Sequence, residues 1–371
     1  MRNKENANES KDKLPLFQNY PLLKKLSYLS LGNFPTPIEK LEILGRRLGL
    51  NNFYIKRDDL SGKIYGGNKV RKLEFLLAQA LHKKAKTVLT FGCAGSNHCL
   101  ATAIYAKQLG LKSIAMLIPQ PNAEYVRKNL LGMAMAGIEL YYCKDSREVK
   151  KNLPWQVTKK FLTSGRLPYI IPPGGSDILG TAGFVNAALE LKEQVIKGEM
   201  PEPDYIYVST GTMGTATGLA LGLKAAGLRT KIMAVRVIGE EFFNWEKMKK
   251  LFRLTNYYLR KLDWSFPLFE LKENDVQIRD SFYGGQYAQF TKEGMTALQI
   301  MSELENIPLE GTYTGKTLAA VIQDSKSVTI KNKVILFWNT YNSRYLPTNG
   351  ISSNGLLEGL QRDYFYKKYR Y

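Results

Sequence analysis

The sequence predicts an α/β fold with mainly parallel sheets, on three observations. From Thr87 onward short apolar runs alternate with longer amphipathic ones, the pattern of a parallel sheet covered by helices. Three glycine-rich turns each lead from a strand-like run into a helix-like one. The 371 residues also exceed the roughly 250 to 300 over which one core grows, so two domains are expected.

In chain order the predicted strands are TVLTF from Thr87, SIAMLI from Ser113, IELYY from Ile138, YIIPP from Tyr169, DYIYVST from Asp204, KIMAVRVI from Lys231 and KVILFW from Lys333. Helices are predicted where apolar residues recur at spacings of three and four. These are VRKLEFLLAQAL after Lys69, NHCLATAIYAKQLG, EYVRKNLLGMAMAG, GFVNAALELKEQVIKG, ATGLALGLKAAG and KEGMTALQIMSELEN. No linker rich in Pro, Gly or Ser divides the chain, so the two domains are expected to exchange segments. The turns of interest are TFGCAGSNHCLATA (Thr90 to Ala103), PPGGSDILGTAGF (Pro172 to Phe184) and VSTGTMGTATGLALG (Val208 to Gly222). Free N–H groups and the positive end of the dipole make the start of such a helix an anion site.

Composition narrows the function classes. An apolar content of 44% with 23% charged residues is that of a folded globular chain, and no run approaches the ~20 apolar residues of a membrane span. The start, MRNKENANESKDK, has no apolar h-region and reads as a disordered tail of a cytoplasmic protein. Cys93, Cys99 and Cys143 are scattered and His82 and His98 are the only histidines, so no disulfide framework, zinc site or other metal site is expected. The net charge of +20 invites a nucleic-acid or membrane reading. Its cations are spread along the chain without an RNP, zinc-finger or P-loop signature, which favours a solvated basic surface around an anion-binding enzyme. The tail Gln361 to Tyr371, where Arg362, Lys367, Lys368 and Arg370 mix with five aromatics, is the feature a rival, non-catalytic binding module would use.

Within VSTGTMGT the run Gly211, Thr212, Met213, Gly214 and Thr215 lies between a strand and an apolar helix. Such a run lets consecutive N–H groups converge on a phosphate. It does not read G-x-G-x-x-G, and GTYTGKT at Gly311 to Thr317 falls one residue short of a Walker motif. A second stretch, YGGNKVRKLE, places Lys69 directly after Gly66, Gly67 and Asn68. Burial, with Arg71 and Lys72 close in sequence, would depress its pKa toward the neutral amine that forms a Schiff base. The plainer reading is a turn followed by a helix whose first lysine faces solvent.

Taken together, IKRDDLSG, YGGNKVRKLEFLL, the SNH turn, PPGGSDILGTAGF, STGTMGT and LEGTYTGKTLAAVI resemble, in order and spacing, the D-cysteine desulfhydrase and 1-aminocyclopropane-1-carboxylate (ACC) deaminase family. These are pyridoxal-phosphate enzymes of fold type II, the tryptophan synthase β-like group. The resemblance covers roughly Gly32 to Thr340. It implies two three-layer α/β/α domains with pyridoxal 5'-phosphate in the cleft between them, a small amino-acid substrate and a homodimer, with no nucleic-acid or membrane partner. The implied division is an N-terminal extension over 1–30, a discontinuous large domain over 31–70 and 184–360, a small inserted domain over 71–183, and the basic aromatic tail 361–371.

Residue by residue, the resemblance implies that Lys69 holds the cofactor and that its amine moves the substrate's α-proton. Asn97 would bond the cofactor's phenolic oxygen, and Ser96 would meet the substrate carboxylate or take part in proton transfer. For Ser96 a plain helix N-cap is the alternative. Gly211 to Thr215 would hold the phosphate. Tyr287 and Tyr313 match the family's active-site tyrosines, while His98 and Thr340 fall in motifs that line the substrate.

Two positions bear on the reaction. Directly after the tyrosine of TYTGK the family's deaminases have Glu and its desulfhydrases Ser or Thr; here it is Thr314. A carboxylate facing the pyridine nitrogen strengthens the ring as an electron sink, and a hydroxyl does not. Where the desulfhydrases read H-T-G-G and the deaminases H-L-G-G, this chain reads Asn339-Thr340-Tyr341-Asn342, keeping the desulfhydrase Thr but not its neighbours. The expected activity is therefore β-elimination, with D-cysteine as substrate, and with ACC ring opening or elimination from another β-substituted amino acid as the alternatives.

Overall fold

The computed structural model of the chain describes residues 11–348 and 350–366. Its strands are β1 (Ile38–Lys40), β2 (Asn52–Lys56), β3 (Thr87–Cys93), β4 (Lys112–Ile118), β5 (Glu139–Tyr142), β6 (Tyr169–Ile170), β7 (Tyr205–Thr210), β8 (Lys231–Arg236), β9 (Val276–Arg279) and β10 (Val334–Trp338). Two compact units result. The first runs to Phe75 and resumes over Ser176–Arg344; the second is Leu76–Gly175 and resumes at Tyr345.

The first unit holds a six-stranded sheet in the order β1-β2-β10-β7-β8-β9. Every pairing in it is parallel except β1 with β2. Alternation along the strands sends residues to two separate cores. Leu336, Trp338, Ile206, Val208, Ile232 and Ala234 join the helices Ile178–Ile196 and Gly214–Ala226 on one face. Ile335, Phe337, Tyr207, Met233 and Val235 join the helices Lys292–Glu305 and Thr314–Asp324 on the other. This is a three-layer α/β/α unit with both sheet faces covered, as a parallel sheet requires.

The second unit has an all-parallel sheet in the order β5-β4-β3-β6. Leu89, Ile114, Met116 and Cys143 form one of its cores, against Val149 and Leu153 of the helix Ser146–Ser164. No helix among the described residues is long and apolar enough to cross a membrane.

Each strand named from the sequence is present, although YIIPP shortens to Tyr169–Ile170 because Pro172 and Pro173 carry no ladder N–H. Three short strands, β1, β2 and β9, were not anticipated. Their charged residues disguise them, most clearly in β2, where Lys56 is completely buried and paired with Glu190 at 2.6 Å. The expected N-terminal extension is part of the first unit from Leu14 onward: Leu14, Leu16, Phe17, Leu23, Leu26 and Tyr28 enter its core, and the Leu16 N–H donates to Asn186 Oδ1 at 2.9 Å. Most of the tail read as disordered, residues 1–10, lies outside the described residues.

The boundaries also differ from those expected, since the chain crosses between units after Phe75, Gly175 and Arg344 instead of after 70, 183 and 360. The last shift has a clear cause. Tyr364 is buried and its hydroxyl accepts from the Gln120 N–H at 2.9 Å and donates to the Gln120 carbonyl at 3.1 Å, so the described part of the aromatic tail belongs to the second unit. Lys367 to Tyr371 lie outside the described residues.

Candidate active site

Helical periodicity explains the GGNK stretch. The helix Lys69–His82 places residues three apart on one face and residues two apart on nearly opposite faces, so Lys69 and Lys72 are neighbours while Arg71 turns away. Arg71 is buried at 1% exposure. It meets Asp58 with Nε at 2.9 Å and a terminal nitrogen at 2.7 Å, and Glu190 at 2.8 and 3.0 Å. Trp338 Nε1 donates to the same Asp58 at 2.7 Å. This cluster anchors the first turn of the helix from behind.

On the other face the Lys69 amine donates to Asn68 Oδ1 at 2.9 Å, and Asn68 Nδ2 donates to Thr215 Oγ1 at 3.1 Å. Burial pushes the Lys69 amine down to about 8, although part of the side chain remains accessible. The like-charge effect expected from the sequence falls instead on Lys72, whose amine is pushed well down by burial and then by Lys69, with Asp177 opposing.

The glycine-rich run after β7 begins the helix Gly214–Ala226. Met213 caps it at φ +66°, a left-handed conformation uncommon for a non-glycine residue. At Gly214 a Cβ would meet Ser176 Oγ at 2.7 Å and Lys72 Nζ at 2.9 Å, so only glycine admits both groups to this helix start. Ser176 Oγ receives the Lys72 amine at 3.0 Å and the Gly214 N–H at 3.2 Å, and shares a hydrogen bond with Thr212 Oγ1 at 2.8 Å. A helix start, two hydroxyls and a buried lysine thus converge at Gly211 to Thr215, a donor set suited to a phosphate. A dianion placed there would restore the charge of Lys72.

Tyr313 approaches the same loop, since a Cβ on Gly211 would lie 3.8 Å from its ring. Its hydroxyl is 2.7 Å from that of Tyr287, with the rings edge to face. Behind them lies a carboxylate the sequence reading missed, that of Glu310. It accepts the N–H groups of Thr312, Tyr313 and Thr314 at the start of the helix Thr314–Asp324, and burial raises its pKa despite them. Thr314 is fully buried and its hydroxyl accepts the Glu310 N–H at 2.9 Å. Lys316, also missed and fully buried, donates to the Tyr283 carbonyl at 2.6 Å, beside the glycine pair that leads to Tyr287. Thr340 shares a hydrogen bond with Ser209 at 2.9 Å and its carbonyl accepts the Asn68 N–H at 3.1 Å.

The SNH turn belongs to the second unit. Ser96 caps the helix Asn97–Gln108, its hydroxyl accepting the Cys99 N–H at 3.2 Å, so the capping role is present whatever else it does. Asn97 Oδ1 accepts from Asn129 Nδ2 at 2.8 Å. His98 is buried, with Nε2 at 2.9 Å from the Thr90 hydroxyl; this interior placement gives no support to a direct substrate contact. Burial pushes the thiols of Cys93 and Cys99 up to about 12, which disfavours their thiolate forms. No cluster of metal-ligating side chains occurs among the described residues.

Residues 29–340 match the profile of the family described as "Pyridoxal-phosphate dependent enzyme". The chain belongs to this family. A putative ACC deaminase of Pyrococcus furiosus is 34% identical over 335 residues, 89% of this chain and 94% of the relative. A D-cysteine desulfhydrase of Serratia proteamaculans is 33% identical over 306 residues, 81% of this chain and 88% of the relative. Among solved structures, one described as an ACC deaminase homologue superimposes with a TM-score of 0.74 at 31% identity, covering 89% of this chain and 95% of its own. The protein is therefore a pyridoxal-phosphate-dependent enzyme of the ACC deaminase and D-cysteine desulfhydrase group, with the fold-type II architecture. Its residues fit that cofactor: a largely buried, partly accessible lysine of lowered pKa and a glycine cradle ringed by phosphate donors both lie in the first unit. Sequence reasoning passed over Asn68, Lys72 and Ser176, though the helical spacing of Lys72 from Lys69 was a usable signal.

Proposed function

We propose that the enzyme catalyses β-elimination from D-cysteine, giving pyruvate, hydrogen sulfide and ammonia. The observation that carries this reading is Thr314, a buried hydroxyl at the position where the family's deaminases have a carboxylate. Bound pyridoxal phosphate supplies an electron sink for the Cα–H bond pair. In this reading Lys69 holds the cofactor, Asn97 bonds its phenolic oxygen, Thr314 faces its ring nitrogen, and Gly211, Thr212, Met213, Gly214 and Thr215 hold its phosphate with Ser176 and Lys72.

Ser96 and the N–H groups at the start of its helix hold the substrate carboxylate, and Thr340 lines the substrate. Once the substrate's amine has displaced it from the cofactor, the freed Lys69 amine would accept the α-proton. As the C–S bond breaks, its electron pair leaves with sulfur, and the Tyr287–Tyr313 hydroxyl pair delivers the proton that releases sulfide. Water then hydrolyses the enamine product to pyruvate and ammonia. Ring opening of ACC is the second reading, favoured by the deaminase names of two of the similar proteins above. Assaying the purified enzyme with D-cysteine and with ACC separates them: sulfide and pyruvate from the first support elimination, whereas 2-oxobutanoate from the second alone would replace it.

Two further outcomes are expected. Tyr287→Phe and Tyr313→Phe each remove one hydroxyl of a pair 2.7 Å apart. Each should lower turnover on the order of 10²-fold while leaving the visible cofactor band in place, as steady-state kinetics and absorbance would show. Covalent capture of added cofactor by the apoenzyme should follow the neutral fraction of Lys69. It should slow by about tenfold per pH unit below its pKa, placed near 8 by burial; a rate independent of pH between 6 and 9 would contradict this.

A further inference from the structure

We infer that Asn342 is a positioning residue for Lys69, acting through the backbone of the loop before it. The inference rests on the reading that Lys69 carries the cofactor. Asn342 Oδ1 accepts the Gly66 N–H at 2.6 Å and the Arg344 N–H at 3.1 Å, while Nδ2 donates to the Arg344 carbonyl at 2.9 Å. Around this side chain the segment Asn339 to Arg344 grips the whole loop from Asp59 to Asn68. The Ser343 N–H donates to the Asp59 carbonyl at 3.2 Å and the Asn68 N–H to the Thr340 carbonyl at 3.1 Å. Arg344 reaches the Gly62 carbonyl at 2.9 Å and the Leu60 carbonyl at 3.1 Å.

The fit leaves little slack. Gly67 stands at φ +91°, and a Cβ on it would lie 2.9 Å from the Thr340 carbonyl oxygen and 3.1 Å from that of Tyr341. A Cβ on Gly66 would lie 2.0 Å from the Asp59 carbonyl oxygen. Two glycines pressed against backbone on both sides fix where Asn68 and Lys69 emerge, and Asn68 in turn receives the Lys69 amine. Asn342 supplies the acceptor for the Gly66 N–H, a contact that a glycine at this position has no side chain to make. The replacement of the family's Gly-Gly by Tyr341-Asn342 is thus a device that holds the lysine loop.

The test uses apoenzyme mixed with pyridoxal phosphate, quenched with borohydride at intervals and weighed intact, so that the readout is capture and not turnover. N342A, with its fold checked by circular dichroism, is expected to capture cofactor on the order of tenfold more slowly. Its capture should also need a higher pH, because a looser loop hydrates the Lys69 amine and lets its pKa rise. N342D keeps the acceptor for the Gly66 N–H but loses the donor to the Arg344 carbonyl, and its capture rate is expected to fall between those of N342A and the wild type. N342A capturing at the wild-type rate and pH overturns the proposal. A wild type that gains no cofactor mass would instead sink the assignment of Lys69, a separately visible result. Should N342A not fold, hydrogen exchange at the Gly66 amide of the wild type decides: protection supports the bond to Asn342, and free exchange refutes it.

Discussion

Lys69→Ala should remove covalent cofactor attachment entirely and lower β-elimination by at least ~10³-fold, since both a covalent anchor and a general base go with one side chain. The remaining fold should survive. The amine's hydrogen bond is to its sequence neighbour Asn68, and the opposite face of the same turn is anchored through Arg71. The variant is expected to keep native circular dichroism and to bind the cofactor reversibly through the Gly211 to Thr215 loop, Ser176 and Lys72, because those contacts do not involve Lys69. Absorbance before and after borohydride, followed by dialysis, reads this out: colour that dialyses away from the variant but not from the wild type is the expected result. An unchanged, reducible band in Lys69→Ala would assign the attachment to another lysine.

The largest loss of stability is expected from Arg71→Ala. Its guanidinium lies between Asp58 and Glu190, all three buried, and removing it strands two carboxylates in the interior, a change that costs about 3 to 5 kcal/mol. Lys56 also pairs with Glu190 at 2.6 Å, so the loss should fall hardest on Asp58, which also holds Trp338. Equilibrium denaturation in urea would measure it, with a loss under about 1 kcal/mol counting against the cluster as a structural anchor. Glu190 adds a pH signature. Burial alone would raise its pKa, but Arg71 and Lys56 beside it outweigh burial and hold it at about 2. A depressed folded pKa contributes stability present above the unfolded value of about 4.3 and lost as pH falls from there through about 2. Acid destabilisation in that window should be weaker in Glu190→Gln than in the wild type.

Much of the fold was legible because its strands are nearly pure apolar runs, as in TVLTF or KVILFW, and because glycine-rich turns mark where strands pass into helices. What escaped was hidden by charge. NFYIK carries a lysine that is a core residue only because Glu190 arrives from 134 positions away, and no local pattern announces such a partner. The last crossing point differs from the expected one for a related reason: Tyr364 is tied to Gln120 by hydrogen bonds across 244 positions, a contact invisible to periodicity.

In the site, motif order pointed to Lys69, Tyr287, Tyr313 and the Gly211 to Thr215 loop, and the first unit does bring these together through Asn68, Thr215 and the tyrosine pair. The supporting residues were not legible. Glu310 and Lys316 look like surface charges on a helix start, yet both are buried, one capping the helix of Thr314 and the other bracing the turn before Tyr287. His98 read as a candidate for the substrate because it follows Ser96 and Asn97. A helix of 3.6 residues per turn instead carries it inward to Thr90.

The measurement that most directly tests this account is the site of covalent attachment. Holoenzyme reduced with borohydride and digested should yield one peptide bearing the pyridoxyl mass, with fragmentation placing it on Lys69. Attachment at Lys56, Lys72 or Lys316, the other buried lysines of lowered pKa among the described residues of this unit, or no attached mass at all, would contradict it.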